Sequence, residues 1–205
     1  MGNTPSDAKL EITHASLFVG KVKISPLVFV AHAQELQNST AKYQIKRNIC
    51  KVLAIPQNFR NVTFEKVVSG QLPMQLVVGL VSNTAFNGSR RQNPFNFQHC
   101  NLSEIAIYLN GQQQHVLKPI QPNYDGNLFI RAYNSLFSGT SKLNRDECIG
   151  ISHDNYKDGY ARYAFDLTAD LGDDDHFNLV KHGNLRLAQK FGEALTETVT
   201  IIAFA

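Results

Sequence analysis

The chain has 205 residues, of which 43% are hydrophobic, 10% aromatic and 18% charged, and its formal net charge is +3. This length fits one domain with a full hydrophobic core, or two small domains. The aromatic and apolar content excludes a disordered chain, the low charge argues against a coiled coil, and the small net charge does not indicate a nucleic-acid-binding protein. The 13 glycines and 7 prolines are typical of many strands joined by turns.

We predict a flexible N-terminus over residues 1–8 and a single domain over residues 9–205, because no linker, repeat or low-complexity stretch divides the chain. Residues 9–30 are predicted to be extended, with breaks at Gly20 and at Ser25-Pro26. Residues 31–37 form the first stretch with good helix propensity.

Residues 43–55 return to a period of two, which predicts a strand that ends before Pro56. Arg47 and Lys51 interrupt its apolar face, so we expect this strand to be only partly buried. Residues 75–81 form a continuous apolar run, the pattern of a strand covered on both faces.

Residues 83–101 are rich in Asn, Gly, Gln and Ser, which predicts a long ordered loop. Three aromatic side chains, Phe86, Phe95 and Phe97, are expected to hold this loop against the body of the domain. The loop either forms an interface with another molecule or folds back on its own domain, and the residues leave both alternatives open.

A hairpin is predicted where Asn110-Gly111 separates strands over residues 104–109 and 113–118, since these two residues suit a type I′ turn. Residues 128–137 form a helix, either a lid or a contact element, that ends at Gly139. Its apolar residues at helical spacing are Phe129, Ala132, Tyr133, Leu136 and Phe137.

The remaining elements are a short helix over residues 152–158 with Ser152 as N-cap, and strands over residues 160–167, 184–191 and 196–205. Each strand alternates, and the expected inward residues are Ala161, Tyr163, Phe165 and Leu167, then Leu185, Leu187 and Phe191. The last strand has Val199, Ile201 and Ala203 on one face, and Ile202 and Phe204 on the other. Eight or so short strands, long loops and small helices are typical of an all-β fold. We therefore predict an antiparallel β-sandwich of jelly-roll topology.

The residue types that carry catalysis or bind metals form no recognisable motif. The 7 histidines include no H-x-H pair, no H-E-x-x-H and no facial triad with a carboxylate. His99 and Cys100 are adjacent and point to opposite faces of an extended chain, and the acidic run 170–176 lacks the EF-hand pattern. Asp146 and Glu147 have no identifiable partner carboxylate for glycoside hydrolysis. We therefore predict no enzyme activity, no catalytic, cofactor-binding or metal residues, and no cofactor.

Five long blocks of the sequence are similar to successive blocks of one family. The blocks are SPLVFVAHAQEL, GQLPMQLVVGLVSNTAFNGS, NPFNFQHCNLSEIAIYLNGQQ, RAYNSLFSGTSKLNRDE and YAFDLTADLGDDDHFNLVKHGNLRL. From about Leu10 to Ala205 the chain resembles the major capsid (hexon) protein of Polinton/Maverick elements and the related adintoviruses. The resemblance is to the C-terminal jelly roll of this double jelly-roll family, and the N-terminal jelly roll has no counterpart here. Family members usually continue past the last strand with an acidic, apolar tail, whereas this sequence stops at Ala205.

The resemblance implies a structural protein whose trimers form the pseudo-hexagonal capsomers of an icosahedral shell. The expected partners are copies of the chain itself, as a homotrimer or larger assembly, and other capsid proteins such as a penton-type subunit. Nucleic acid is expected to be enclosed rather than specifically bound, and no membrane is contacted. The expected location is the virion, assembled in the host-cell nucleus or cytoplasm and not secreted. Three widely spaced cysteines (Cys50, Cys100 and Cys148) and the lack of an apolar signal segment agree with that location.

Other functions stay open on the residues alone. A jelly roll can bind a glycan or a receptor, which would need an exposed aromatic platform beside Asn or Asp. Tyr124-Asp125 and residues 156–158 are the candidates for that platform. A cupin-like metal enzyme is disfavoured by the missing histidine spacing, and a host-retained remnant of a capsid gene is a further alternative.

Overall fold

A computed structural model describes the chain over residues 11–43, 45, 47–113, 118–143, 145, 148–168 and 179–205. The chain forms two compact units, Met1–Lys46 and Arg47–Ala205. The assignment of residues 9–205 to one domain stays a prediction. Within the described part of the chain, every helix is too short or too polar to cross a lipid bilayer.

The first unit contains helix α1 (Pro26–Asn38). Ser25 is its N-cap, accepting a hydrogen bond from the Val28 N–H at 3.5 Å, and Pro26 occupies the first turn. Ser followed by Pro is a helix-start signature, because the cap satisfies a free N–H and proline lacks one. The predicted extended chain up to residue 30 is therefore wrong at its end, where Ser25-Pro26 begins a helix.

The second unit is built from two antiparallel sheets of four strands each. The strands are β1 (Cys50–Ile55), β2 (Asn61–Gln71), β3 (Gln75–Ser82), β4 (Leu102–Leu109), β5 (Gln112–Gln113), β6 (Arg162–Asp166), β7 (His182–Phe191) and β8 (Val199–Phe204). Sheet A has the order β1-β8-β3-β6 and sheet B the order β2-β7-β4-β5. The prediction of a mostly-β protein with two antiparallel sheets is confirmed.

Three short helices lie in the loops: α2 (Asn83–Phe86), α3 (Ile130–Ser138) and α4 (His153–Tyr156). The predicted N-cap of α4 is confirmed, since the Ser152 hydroxyl accepts a hydrogen bond from the Asn155 N–H at 3.2 Å. The short helices agree with the predicted pattern of strands joined by decorated loops.

Alternating side chains of both sheets form one hydrophobic core. The fully buried inward residues of the strands include Ile55, Leu76, Val78, Leu80, Ile105, Tyr163, Leu185, Leu187, Phe191 and Ile201. The alternation predicted for β7 is confirmed, and on β8 Val199, Ile201 and Ala203 are buried on one face as predicted. Strand β6 does not alternate, because Ala164 and Asp166 are buried as well as Tyr163 and Phe165. Ile202 and Phe204 lie on the other face of β8, where they are half-buried and exposed respectively.

The β4–β5 hairpin has the predicted turn. Tyr108 pairs with Gln113 and Leu109 with Gln112, while Asn110 (φ 52°) and Gly111 (φ 79°) both have the positive φ that a type I′ turn requires. The end of the predicted return strand, over residues 114–117, lies outside the described residues.

Strand β1 is shorter than predicted. The paired ladder runs from Cys50↔Phe204 to Ile55↔Val199. It is continued by Ile49 and Ala205, whose backbones exchange hydrogen bonds of 2.6 and 2.8 Å. Tyr43 and Ile45 are exposed and are not part of a strand. Their period-two spacing is not enough, because a strand also needs a neighbouring strand to pair with.

Helix α3 confirms the prediction over residues 128–137 and packs against β6. Gly139 ends the helix as expected, but with φ −77° it adopts the right-handed conformation. Its lack of a side chain serves a different purpose, since a Cβ there would lie 2.5 Å from the carbonyl carbon of Ala164. Glycine is needed because the helix end touches the backbone of β6.

Candidate interaction surfaces

The outer face of sheet A is largely apolar over β1, β8 and β3, although it points away from the core. One cross-strand row contains Val52, Ile202 and Gly79 and ends at Arg162 of β6, and the neighbouring row contains Cys50, Phe204, Val77 and Ala164. The polar exception on β8 is Thr200, which is buried and donates to the Asn83 side chain of α2 at 3.0 Å. An antiparallel sheet that faces water on one side normally carries polar residues there. A sheet that is apolar on both faces is suited to being covered on both.

The segment over residues 83–101, predicted to be a loop, begins with helix α2 and places Phe97 over the β3 part of this face. The Phe97 ring lies directly on Gly79, where an added Cβ would come within 2.6 Å of it. Phe97 is fixed by a hydrogen bond from its N–H to the Gly159 carbonyl (2.8 Å) and by one from the Ala161 N–H to its own carbonyl (3.1 Å). The Arg162 guanidinium lies 5.6 Å from the centre of the Phe97 ring. Phe97 therefore holds the loop to the body, as predicted.

Phe95 does not serve as an anchor. It is 74% exposed, and its N–H donates to the Asn93 side chain at 2.9 Å in a local turn. Phe86, at the end of α2, is 39% exposed, so most of its side chain is covered. The expectation that all three phenylalanines hold the loop is therefore wrong for Phe95, whose ring points largely into solvent.

Among the described residues, the part of the outer face nearest β1 is exposed. We call this surface the β1–β8 face, and it consists of Cys50, Val52, Ala54, Ile202 and Phe204. Val52 is 46% and Phe204 47% exposed, while Ile202 beside them is half-buried. The described part of the chain thus covers the outer face of sheet A at Gly79 and Thr200 and leaves the β1–β8 face as exposed apolar surface.

The outer face of sheet B is polar by comparison. The Arg186 guanidinium lies 4.8 Å from the centre of the Tyr108 ring, and its Nε lies 3.5 Å from a carboxylate oxygen of Glu65. Lys190 and Glu104 occupy opposite positions on β7 and β4. These side chains suit contact with water, so the two outer faces have different chemistry.

A column of stacked rings lies at the junction of α3, α4 and the loops around them. His99 stacks on Tyr124 with centroids 4.1 Å apart, Tyr124 on Phe129 at 5.3 Å, and Phe129 on His153 at 4.6 Å. Tyr124 and Tyr163 share a hydrogen bond between their hydroxyls at 2.7 Å. Burial raises the pKa of Tyr124 to about 12.

The two tyrosines proposed above as a glycan platform are Tyr124, which is part of this column, and Tyr156, whose ring stacks on Phe129. Tyr124 is only 8% exposed and Tyr156 is 0% exposed. Their rings belong to the hydrophobic core and present no surface on which a sugar could stack. The prediction of an exposed aromatic platform at these two residues is wrong, because burying their apolar rings stabilises the fold more than exposing them to water would.

The surroundings of His99 favour its neutral form. Burial lowers its pKa, while Asp125 and Asp158 act in the opposite direction and Lys157 adds to the lowering. Its Nδ1 accepts a hydrogen bond from the Asn101 N–H at 3.0 Å, which requires an unprotonated Nδ1. Cys100 and Asn101 have φ of 47° and 48°, so this bond supports a backbone turn that non-glycine residues rarely adopt.

We expect acid to destabilise the protein through His99. In the unfolded chain the imidazole takes up a proton near its ordinary pKa of about 6.5, whereas the folded protein holds the pKa lower. The free energy of unfolding should therefore fall as the pH drops below about 6.5, until the folded pKa is passed. Urea unfolding at several pH values measures this slope.

His99→Gln should flatten that pH dependence, since the amide cannot titrate. The matched control is His182→Gln, which removes an exposed imidazole at the start of β7 and should keep the wild-type slope. An unchanged slope in His99→Gln would contradict this prediction.

The remaining candidate residues are not brought together. Among the described residues, no group of three or more His, Cys, Asp or Glu side chains converges as a metal site would require. Asp146, Glu147 and the acidic run 170–176 lie outside the described residues. Cys50, Cys100 and Cys148 are free thiols, and burial raises the pKa of Cys100 to about 12.

An open depression lies beside the ring column. It is lined by Asn101, Ser103, Pro122, Asn123, Asp125, Gly192 and Glu193. Several of its polar groups are engaged within the protein: the Asn101 amide donates to Asp125 at 3.3 Å, Asn123 accepts from the Gly126 N–H at 2.8 Å, and the Ser103 hydroxyl donates to the Lys190 carbonyl at 3.0 Å. These bonds hold the surrounding loops in place.

Comparison with known proteins gives a similar sequence from a nematode. No protein-family model matches the chain. Over 125 residues the chain is 29% identical to the uncharacterized protein F54H12.2 of Caenorhabditis elegans. The match covers 60% of this chain and 30% of the nematode protein, so most of that protein lies outside the similar region.

Proposed function

We propose that the chain is a capsid-type structural subunit with a jelly-roll fold, and that it works by binding copies of itself. In a jelly roll, eight strands wind so that the first pairs with the last, the second with the seventh, the third with the sixth and the fourth with the fifth. The observed pairs β1–β8, β2–β7, β3–β6 and β4–β5 support this topology.

The observation that carries the proposal is the exposed apolar β1–β8 face. An exposed patch of apolar side chains on a rigid sheet is typical of a surface that binds another protein. The sheet is stiff because its inner face is packed against the core, so little conformational entropy is lost when a partner binds. Phe95, which projects from an anchored loop, adds a second apolar contact of the same kind.

The sequence resemblance supports a particular class of assembly. We propose membership of the Polinton/Maverick and adintovirus capsid family, location in the virion, and capsomers built from this chain with other capsid proteins. The similar nematode protein extends well beyond the matched region, which leaves room there for a further domain. A shell forms from weak contacts because each bound neighbour raises the effective concentration of the next.

The test is the assembly state of the full chain over a range of protein and salt concentrations, measured by light scattering and electron microscopy. We expect oligomers that grow with concentration. Phe204→Asp should raise the dissociation constant at least tenfold, a loss of about 1.4 kcal/mol, because it introduces a charge into the β1–β8 face.

Phe59→Asp is the matched control. Phe59 is 50% exposed, which is close to Phe204, but it lies in the β1–β2 connection and outside the β1–β8 face. It should leave assembly unchanged. A wild-type chain that stays monomeric at every concentration would contradict the proposed function.

A further inference from the structure

Among the described residues, no strand lies beside the outward edge of β1, the end strand of sheet A. Ile49 and Ala205 exchange backbone hydrogen bonds, and in an antiparallel ladder such pairs alternate with pairs that do not bond to each other. The register of β1 with β8 then directs the N–H and C=O groups of Lys51, Leu53 and Ile55 toward β8. Those of Cys50, Val52 and Ala54 point away from the sheet.

The opposite edge of sheet A is closed by side chains. The outward N–H of Ala164 donates to the Ser135 hydroxyl of α3 at 3.3 Å. The carbonyl of Arg162 accepts a hydrogen bond from the Tyr156 hydroxyl of α4 at 2.7 Å. The helices beside β6 therefore occupy the positions that an added strand would need.

The β2 edge of sheet B is interrupted. Strand β2 has a register shift between Phe64 and Val68 and carries Glu65 and Lys66 at that point. Bulges and charges are common means of preventing edge-to-edge association. Strand β1 is a regular six-residue strand without Pro or Gly, and its outward backbone groups are uncapped among the described residues.

We infer that β1 pairs with β1 of a second copy, antiparallel and about a two-fold axis at Val52. This joins two copies of sheet A into one continuous sheet. The inference deepens the proposed function, self-association, by naming the strand and the register.

The β1 sequence is complementary to itself in this register. Val52 lies opposite Val52 of the other copy, and Cys50 lies opposite Ala54, so all the outward-pointing backbone groups find partners. Lys51 lies opposite Leu53, which avoids the like-charge pair that would destabilise the ladder. The second copy is thus preferred over an unrelated strand, because the same surface supplies both halves of the interface.

The pairing also extends the apolar surface across the axis. Val52, 46% exposed in one copy, gains a Val52 neighbour on the same face, flanked by Ile202 and Phe204 of each copy. A six-residue ladder is a small interface. We therefore expect a weak dimer in isolation that is reinforced by other contacts in an assembly.

The register is tested by disulfide trapping with Ala54→Cys in a Cys148→Ser background, which removes the other exposed thiol. Opposite residues of a hydrogen-bonded antiparallel pair have Cα atoms about 5.5 Å apart, within disulfide range. Positions 50 and 54 of one chain are about 13 Å apart along a strand and cannot be bridged. A bond between native Cys50 and the introduced thiol must therefore join two copies.

We expect a covalent dimer on mild oxidation, seen on non-reducing gels, with the peptides containing positions 50 and 54 linked by mass spectrometry. Lys51→Cys is the matched control, since its side chain lies on the other face of the strand, and it should form at least tenfold less dimer. Equal dimer yields from both variants would overturn the inference.

Val52→Pro provides an independent test. Proline removes the outward N–H of Val52 but no hydrogen bond to β8, and proline is tolerated on edge strands. We expect a folded protein by circular dichroism whose dimerisation is at least tenfold weaker. Val52→Thr keeps the N–H and should dimerise nearly as well as wild type.

The outcomes separate this inference from the proposed function. If the wild-type chain associates in light scattering but Ala54→Cys forms no specific dimer, the β1 inference is overturned and self-association stands. If Ala54→Cys forms the linked dimer but no larger assembly appears, the β1 inference stands and the capsid proposal fails.

Discussion

Phe129→Ala should lower the free energy of unfolding by about 3–5 kcal/mol. Phe129 is 1% exposed, and its ring lies between Tyr124 at 5.3 Å and His153 at 4.6 Å. Truncation removes the contacts on both faces of the ring and leaves a cavity that rigid neighbouring rings cannot fill. The midpoint of urea unfolding should shift strongly while the slope with denaturant stays the same.

Leu128→Ala is the matched control for this prediction. Leu128 is the preceding residue, also large and apolar, but it is 68% exposed. Its truncation should change stability by less than about 0.5 kcal/mol. Similar midpoints for the two variants would mean that the ring column is not part of the stable core.

The elements that the sequence predicted correctly are those whose signals are local. Alternation in β7 and β8, the Asn110-Gly111 turn and the helical spacing after Phe129 each need only neighbouring residues to be recognised. Two-sided burial of β3 was also evident, because residues 75–81 have no polar face to expose.

The predictions that failed required knowledge of distant partners. The period-two pattern over residues 43–55 was real, but only the part opposite β8 became a strand. Phe95 and Phe97 have the same local character, and only Phe97 meets a glycine that leaves space for a ring. Gln189 points into the core with Leu187 and Phe191, 3% exposed, against its polar character.

The candidate interaction surface was only half visible in the sequence. The sequence pattern places the apolar residues Ile202 and Phe204 on the second face of the last strand. That they lie beside Val52, and that β1 is an edge, follows from the pairing of residues about 150 positions apart. Sequence spacing carries no information on which strand ends a sheet.

Gly139→Val should destabilise the protein by about 3 kcal/mol, the upper part of the range for overpacking. A Cβ at this position would lie 2.5 Å from the carbonyl carbon and 2.7 Å from the oxygen of Ala164. These are backbone atoms in a sheet, so they cannot move aside as a flexible side chain would. The cost should appear as a lower midpoint in urea unfolding, whereas Asn134→Ala, an exposed position of α3, should stay close to wild type.

The same substitution should also promote aggregation, because the clash is relieved most easily by moving α3 away from β6. That movement separates the Ser135 hydroxyl from the Ala164 N–H, 3.3 Å apart in the native fold, and uncovers an edge that is normally capped. Light scattering near the unfolding midpoint should rise earlier in Gly139→Val than in a core variant of equal stability, such as Leu136→Ala. Equal scattering would mean that α3 does not protect this edge. Earlier scattering would support the view that the two edges of sheet A differ. The helices close the β6 edge, whereas the β1 edge is left open for pairing.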